Sequence, residues 1–176
     1  MKKLVFFAFF GLFLGACQQN SPEALKQKLS ELDKALGGAS VTDNAKALEF
    51  ISTSEALAAT VEKTDPNQYV SLILRAAGLA KTIKQPQKAI ELYRKIADGM
   101  PQHKKAPAAL FMIGFVQEND LSDLEKAEKT YQLFLQRYPN DPDFADDAQN
   151  AIKMLGMSPE EIVKKFEQQA AEKTEQ

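Results

Sequence analysis

The side chains that could do chemistry in this sequence are few and scattered. There is one cysteine, Cys17, and one histidine, His103. A lone thiol can neither close a disulfide within the chain nor build a zinc site, which needs several Cys or His ligands at short spacing. His103 sits in the lysine-flanked run His103-Lys104-Lys105 with no cysteine to join it, so it reads as an exposed loop residue and not as a base or a ligand. Asp141, Asp143, Asp146 and Asp147 crowd four carboxylates together, which raises calcium. The glycine and the bidentate glutamate of a calcium loop are missing, however, and carboxylates in the first turn of a helix are explained by its dipole. Glycine-rich phosphate loops and the G-x-S-x-G and H-E-x-x-H motifs are absent. An enzyme is therefore not expected, and neither a metal nor a cofactor is called for.

The context of Cys17 gives that thiol a different use. Lys2 and Lys3 precede an apolar run from Leu4 to Leu14, which falls short of the ~20 residues of a membrane-spanning helix and has the build of a signal-peptide core. The run ends in Leu14-Gly15-Ala16-Cys17. That tetrapeptide resembles the lipobox of bacterial lipoproteins: an apolar residue, two small ones that fit the peptidase, and a cysteine that receives lipid. The resemblance implies a signal peptide over 1–16, lipid on Cys17 and a short linker over 17–20. The alternative is a plain secretory peptide cut near Ala16, which leaves Cys17 a free thiol. Several acyl chains anchor a protein durably, so no spanning helix is then required. Gln18 stands where an aspartate would resemble an inner-membrane retention signal, so the expected location is the outer membrane, facing the periplasm.

Composition sets further bounds. With 44% hydrophobic and 26% charged residues the chain reads as ordinary globular material. Losing Lys2 and Lys3 takes two of 22 basic side chains against 24 acidic ones, for a net charge near −4. No basic excess or stripe remains for a nucleic acid, and no polybasic cluster for lipid headgroups.

Periodicity then supplies the elements. Ser21-Pro22-Glu23 combines an N-cap, a proline suited to the first helical position and a carboxylate, and Leu25, Leu29, Leu32 and Leu36 form one face up to Gly37-Gly38. This predicts helix 1 over 22–36. Helix 2 follows Thr42 and presents Ala47, Phe50, Ile51, Ser54, Leu57, Ala58 and Val61 on one side. Asp65-Pro66 ends it and opens helix 3, over about 66–83, with helix 4 at 86–98, helix 5 at 105–119 and helix 6 at 123–138. Asp141-Pro142 repeats the same device for helix 7, which runs to Gly156. Ser158 and Glu161 have capping-box spacing for helix 8. The polar stretch 168–176 reads as a fraying tail.

An internal repeat organises these helices. Lys88-Ala89, Tyr93, Ile96 and Pro101 recur as Lys126-Ala127, Tyr131, Phe134 and Pro139, all displaced by 38 residues. Upstream, Ile73, Ala76 and Ala77 align with Leu110, Ile113 and Gly114 at an offset of 37, so the second copy has one extra residue inside its hairpin. Small residues at Gly114 and Ala127 allow the helices of one hairpin to approach closely, and Tyr131 and Phe134 fill the space beside them.

On these residues, Ala77, Ala89, Tyr93 and Pro101, then Gly114, Ala127, Tyr131 and Pro139, the chain resembles tetratricopeptide repeat proteins, and 106–114 with 131–139 is similar to those of bacterial envelopes. The offset exceeds the usual ~34 residues, and Ser54 and Ala58 stand where the first hairpin should have Ala and an aromatic. The resemblance implies an all-α fold over 21–167: a short α-solenoid of tetratricopeptide-like helix hairpins, closed by a C-terminal capping helix with Ile162, Val163 and Phe166 on one face. It also implies a groove lined by the first helix of each hairpin. Carried over position by position, the groove residues are Ser71, Leu74 and Lys81 on helix 3 and Phe111, Phe115 and Glu118 on helix 5. Tyr93, Tyr131, Phe134 and Tyr138 read as core. Helix 5 is apolar nearly all round, so Phe111 and Phe115 are either buried, the favoured reading for part of both rings, or an exposed aromatic strip.

The function this implies is a lipid-anchored protein–protein interaction scaffold of the cell envelope, in outer-membrane assembly or maintenance, with envelope proteins as partners. The alternative is a carrier of a peptide or glycan serving a cell-wall enzyme or transporter.

Overall fold

The computed structural model describes residues 21–37 and 43–174. The expected signal peptide, Cys17 and the linker lie outside these residues, as do Gly38, Thr42 and the side chain of Phe166. Among the described residues there are eight helices and no strand: α1 Pro22–Leu36, α2 Asn44–Val61, α3 Pro66–Thr82, α4 Pro86–Ala97, α5 Ala106–Asn119, α6 Leu124–Arg137, α7 Ala145–Met154 and α8 Pro159–Thr174.

Local chemistry starts most of them. The Ser21 hydroxyl accepts the N–H of Ala24 at 3.2 Å. Asp43, Asp65 and Asp123 accept from Lys46, Gln68 and Lys126 at 3.0, 2.9 and 3.2 Å, so three helices begin on an aspartate. The capping box of α8 is closed in both directions, by Glu161 N–H to Ser158 Oγ at 3.2 Å and Ser158 N–H to Glu161 Oε2 at 2.7 Å. Two boundaries differ from expectation by more than two residues. Asp141 accepts from the N–H groups of Asp143 and Phe144, at 3.1 and 2.9 Å, which holds a turn there and delays α7 to Ala145. The helix of the C-terminal end runs to Thr174, past the polar boundary at 167.

Consecutive helices pack on one another from α1 to α7. Cross-contacts then sort them into two layers. The odd layer is tied by Arg75 to Asp33 between α3 and α1, and by the Lys81 ammonium 5.0 Å from the Phe115 ring centre between α3 and α5. In the even layer Glu55 of α2 binds Lys95 at 2.7 Å and Lys88 at 2.9 Å on α4. Burial opposes ionisation of Glu55, but Lys95 and Lys88 overcome it and hold the carboxyl below its usual range. Further along, Asp98 and Arg137 join the ends of α4 and α6, and the Tyr138 hydroxyl donates to the Pro101 carbonyl at 3.0 Å. The protein is thus a short α-solenoid of helix hairpins, with α8 continuing from α7 and touching it through Lys165 Nζ to the Lys153 carbonyl at 3.0 Å.

The stack between layers is the core. Ala77, Ala80, Ala89, Leu92, Ile96, Ala109, Val116, Ala127, Tyr131 and Phe134 are completely or almost completely buried. The extra residue in the third hairpin is visible as Gln85 N–H bonding back to Ala80 across the α3–α4 turn, whereas Asp123 N–H reaches back to Gln117 across the α5–α6 turn. Lys84 and Ser122, 38 residues apart, take the left-handed backbone at equivalent places, with φ of 60° and 52°. In the first hairpin Ser54 is fully buried and its hydroxyl has no hydrogen-bond partner.

Candidate partner-binding face

The odd layer presents α1, α3 and α5 side by side, and its positions can be compared between repeats. At the 37-residue offset Leu74, Gly78 and Lys81 of α3 correspond to Phe111, Phe115 and Glu118 of α5.

Phe111 lies inside the stack, 9% exposed. Its ring stacks on Phe144 at 4.8 Å between centres and meets Tyr131 at 5.4 Å and Phe134 at 6.1 Å. That buried aromatic cluster fills the space between the third hairpin and the turn leading into α7. Leu74 is half-buried against the same core. Ser71 is exposed on α3.

Phe115 and Lys81 meet between α5 and α3, and Glu118 stands three residues along α5 from Phe115. Phe115 keeps part of its ring at the surface beneath the Lys81 ammonium. Lys81 and Lys84 both face Asp120, at 3.7 and 3.6 Å, and the Asp120 side chain is only 10% exposed. Glu118 is held by a hydrogen bond from the Tyr131 hydroxyl at 2.8 Å. Burial, reinforced by the Glu118 carboxylate, raises the Tyr131 pKa far above its ordinary value. Tyr131 therefore keeps its proton and serves as a fixed donor that holds Glu118.

A second station on the same face was not anticipated from the sequence. Between α1 and α3 lies a cleft of about 400 Å³ lined by Asp33, Leu36, Phe50, Arg75, Gly78, Leu79 and Thr82. Phe50, 2% exposed, forms its floor, and the Arg75 guanidinium lies 4.7 Å above the Phe50 ring centre. A Cβ on Gly78 would meet nothing within 4 Å. The offset that carries Phe115 to Gly78 is the sequence signal for this place: where one repeat has an aromatic, the other has no side chain.

His103 does structural work. Its Nδ1 accepts the Lys105 N–H at 3.1 Å, so the ring proton is on Nε2, which donates to Asn67 Oδ1 at 3.1 Å. The ring thereby ties the start of α3 to the loop before α5.

Stacked helix hairpins with an open face of first helices define a class of repeat protein built for contact with other macromolecules. Residues 108–141, covering most of α5, all of α6 and the following turn, match the tetratricopeptide repeat, which supports the tetratricopeptide family and a protein–protein interaction role. Such repeats are typically interaction modules without catalysis. Among curated proteins no match to the chain is found.

Proposed function

We propose that the protein is a lipid-anchored protein–protein interaction scaffold of the bacterial cell envelope, held by acyl chains on Cys17 in the outer membrane and facing the periplasm, where it serves envelope assembly or maintenance. The observation that carries this reading is the open odd-helix face of a stack whose third hairpin matches a tetratricopeptide repeat. Ser71, Leu74, Lys81, Phe115 and Glu118 are the residues proposed to meet the partner. Phe111 supports that surface from within. Location rests on the sequence before Ser21: a basic start, an apolar run and Leu14-Gly15-Ala16-Cys17.

Two experiments test the two halves. Cys17→Ser removes the nucleophile that takes the lipid, so label from a radioactive fatty acid is lost and the chain leaves the membrane fraction once processed. A mutant that still carries label contradicts the anchor. Crosslinking in intact cells followed by purification of the lipoprotein should yield a protein partner in fixed stoichiometry. Recovery of only a soluble peptide or glycan would make it a carrier instead.

A further inference from the structure

Gly78 stands in the interior of α3, where glycine weakens a helix relative to alanine. Neither a positive φ nor a close neighbour calls for it. Its effect is to leave open the cleft between α1 and α3. We propose that this cleft is a socket for one bulky apolar side chain of a partner peptide that carries a carboxylate on the adjoining residue. The proposal rests on the reading of this face as a partner surface and names the chemistry it recognises.

Part of the lining is apolar. Phe50 supplies the floor, and Leu36 and Leu79 supply walls. The volume of about 400 Å³ lies within the range of roughly 300–1,000 Å³ in which clefts enclose small ligands. The charged half is complementarity. α3 carries Arg75 and Lys81 and no carboxylate at all, in a chain whose net charge is −2. The single acid of the lining, Asp33, is bound to Arg75, but both side chains are about half exposed, at 49% and 56%. Such a pair is weak and readily exchanged. The Phe50 ring meanwhile holds the guanidinium against the lining of the cleft. A partner's carboxylate can therefore take Arg75 from Asp33 in a two-pronged hydrogen bond while the neighbouring side chain enters the hollow at Gly78. Thr82 donates its hydroxyl to the Gly78 carbonyl at 3.0 Å, which leaves its oxygen free to accept a backbone N–H of the peptide.

The test uses the full lipid-anchored chain in nanodiscs and a fluorescein-labelled peptide Gly-Ser-Phe-Glu-Ser-Gly, read by anisotropy. Peptides with Phe-Lys and with Ala-Glu at the centre are the controls. Saturable binding of the Phe-Glu peptide is expected, with both controls weaker by about tenfold or more, the scale of one lost charge-assisted contact. Gly78→Leu, which fills the hollow, should abolish binding, and Arg75→Gln should weaken it by about tenfold, with helical circular dichroism retained in both. Equal binding of the Phe-Lys peptide, or binding that survives Gly78→Leu, overturns the proposal, as does the absence of saturable Phe-Glu binding. Self-association that Gly78→Leu abolishes would make a second copy the occupant and overturn it as well. A protein crosslinked in cells equally by wild type and Gly78→Leu would sink the socket while leaving the scaffold role intact.

Discussion

In the third hairpin Gly114 lets Tyr131 come so near that a Cβ on the glycine would lie 2.6 Å from the ring carbon Cε1. In the second hairpin Ala77 carries a Cβ at the equivalent place, and Tyr93 is the counterpart of Tyr131 in the same core. One residue further along, the relation is reversed. Phe115 fills the face of α5, while its counterpart Gly78 leaves the face of α3 hollow. At the next groove position Lys81, a donor, corresponds to Glu118, an acceptor. The two hairpins share a frame of small residues, aromatics and turns, and on the open face they differ at positions the frame does not use. A repeat stack can therefore change the chemistry of its open face without changing its fold.

Substitutions at the paired positions can break this comparison or sharpen it. The largest effect is expected at Gly114. Gly114→Leu drives a side chain into the Tyr131 ring and should destabilise the protein by about 1–3 kcal/mol in a denaturant titration. A wild-type midpoint would mean that α5 and α6 do not cross there. Tyr131→Phe comes next. It strips a donor from the half-buried Glu118 carboxylate and should cost about 1–2 kcal/mol, whereas Tyr93→Phe should be close to neutral.

The same contrast extends to alkaline pH. All four tyrosines have pKa values raised above the ordinary 10.0, chiefly by burial. A phenol whose folded pKa exceeds its unfolded one contributes stability that is complete below the unfolded value and is lost as pH rises beyond it. Stability should begin to fall as pH rises past about 10 and keep falling toward the raised folded values, and Tyr131→Phe should flatten that fall more than Tyr93→Phe. Parallel curves for the two variants would contradict the assignment. Gly78→Ala has the opposite sign from Gly114→Leu, a gain of about 0.5–1 kcal/mol, because the added methyl meets open space on a helix. The smallest effect belongs to exposed Lys129 of α6, where alanine should shift stability by less than about 0.5 kcal/mol.

Much of the fold was legible because its causes are local. Ser21, Asp65 and Ser158 cap the helices that their position before a proline predicts, and the 38-residue displacement appears in space as equivalent left-handed turns at Lys84 and Ser122. Asp141-Pro142 has the same spelling as Asp65-Pro66 but not the same outcome. Asp141 accepts from the N–H groups of Asp143 and Phe144 to hold a turn, and α7 begins only after Phe144, which has a φ of −131° and stacks its ring on Phe111. That contact spans more than thirty residues and leaves no local trace. The open face was legible in part. The family resemblance puts Lys81, Phe111, Phe115 and Glu118 on the groove helices, and the apolar circumference of α5 favours burial of its rings, as the three aromatic partners of Phe111 show for that one. Of the cleft between α1 and α3 the repeat offset signals only the missing side chain at Gly78, because Phe50 from α2 and the reach of Arg75 do not follow from periodicity.

The central claim is that the odd-helix face meets a protein partner and the even-helix face does not. A photoreactive benzoyl-phenylalanine placed at Ser71 on α3, or at Lys129 on α6, in the membrane-anchored chain of living cells tests it directly. Ultraviolet irradiation should give one discrete adduct of fixed mass from position 71 and none from position 129. Adducts of equal yield from both positions, or from position 129 alone, would contradict the account.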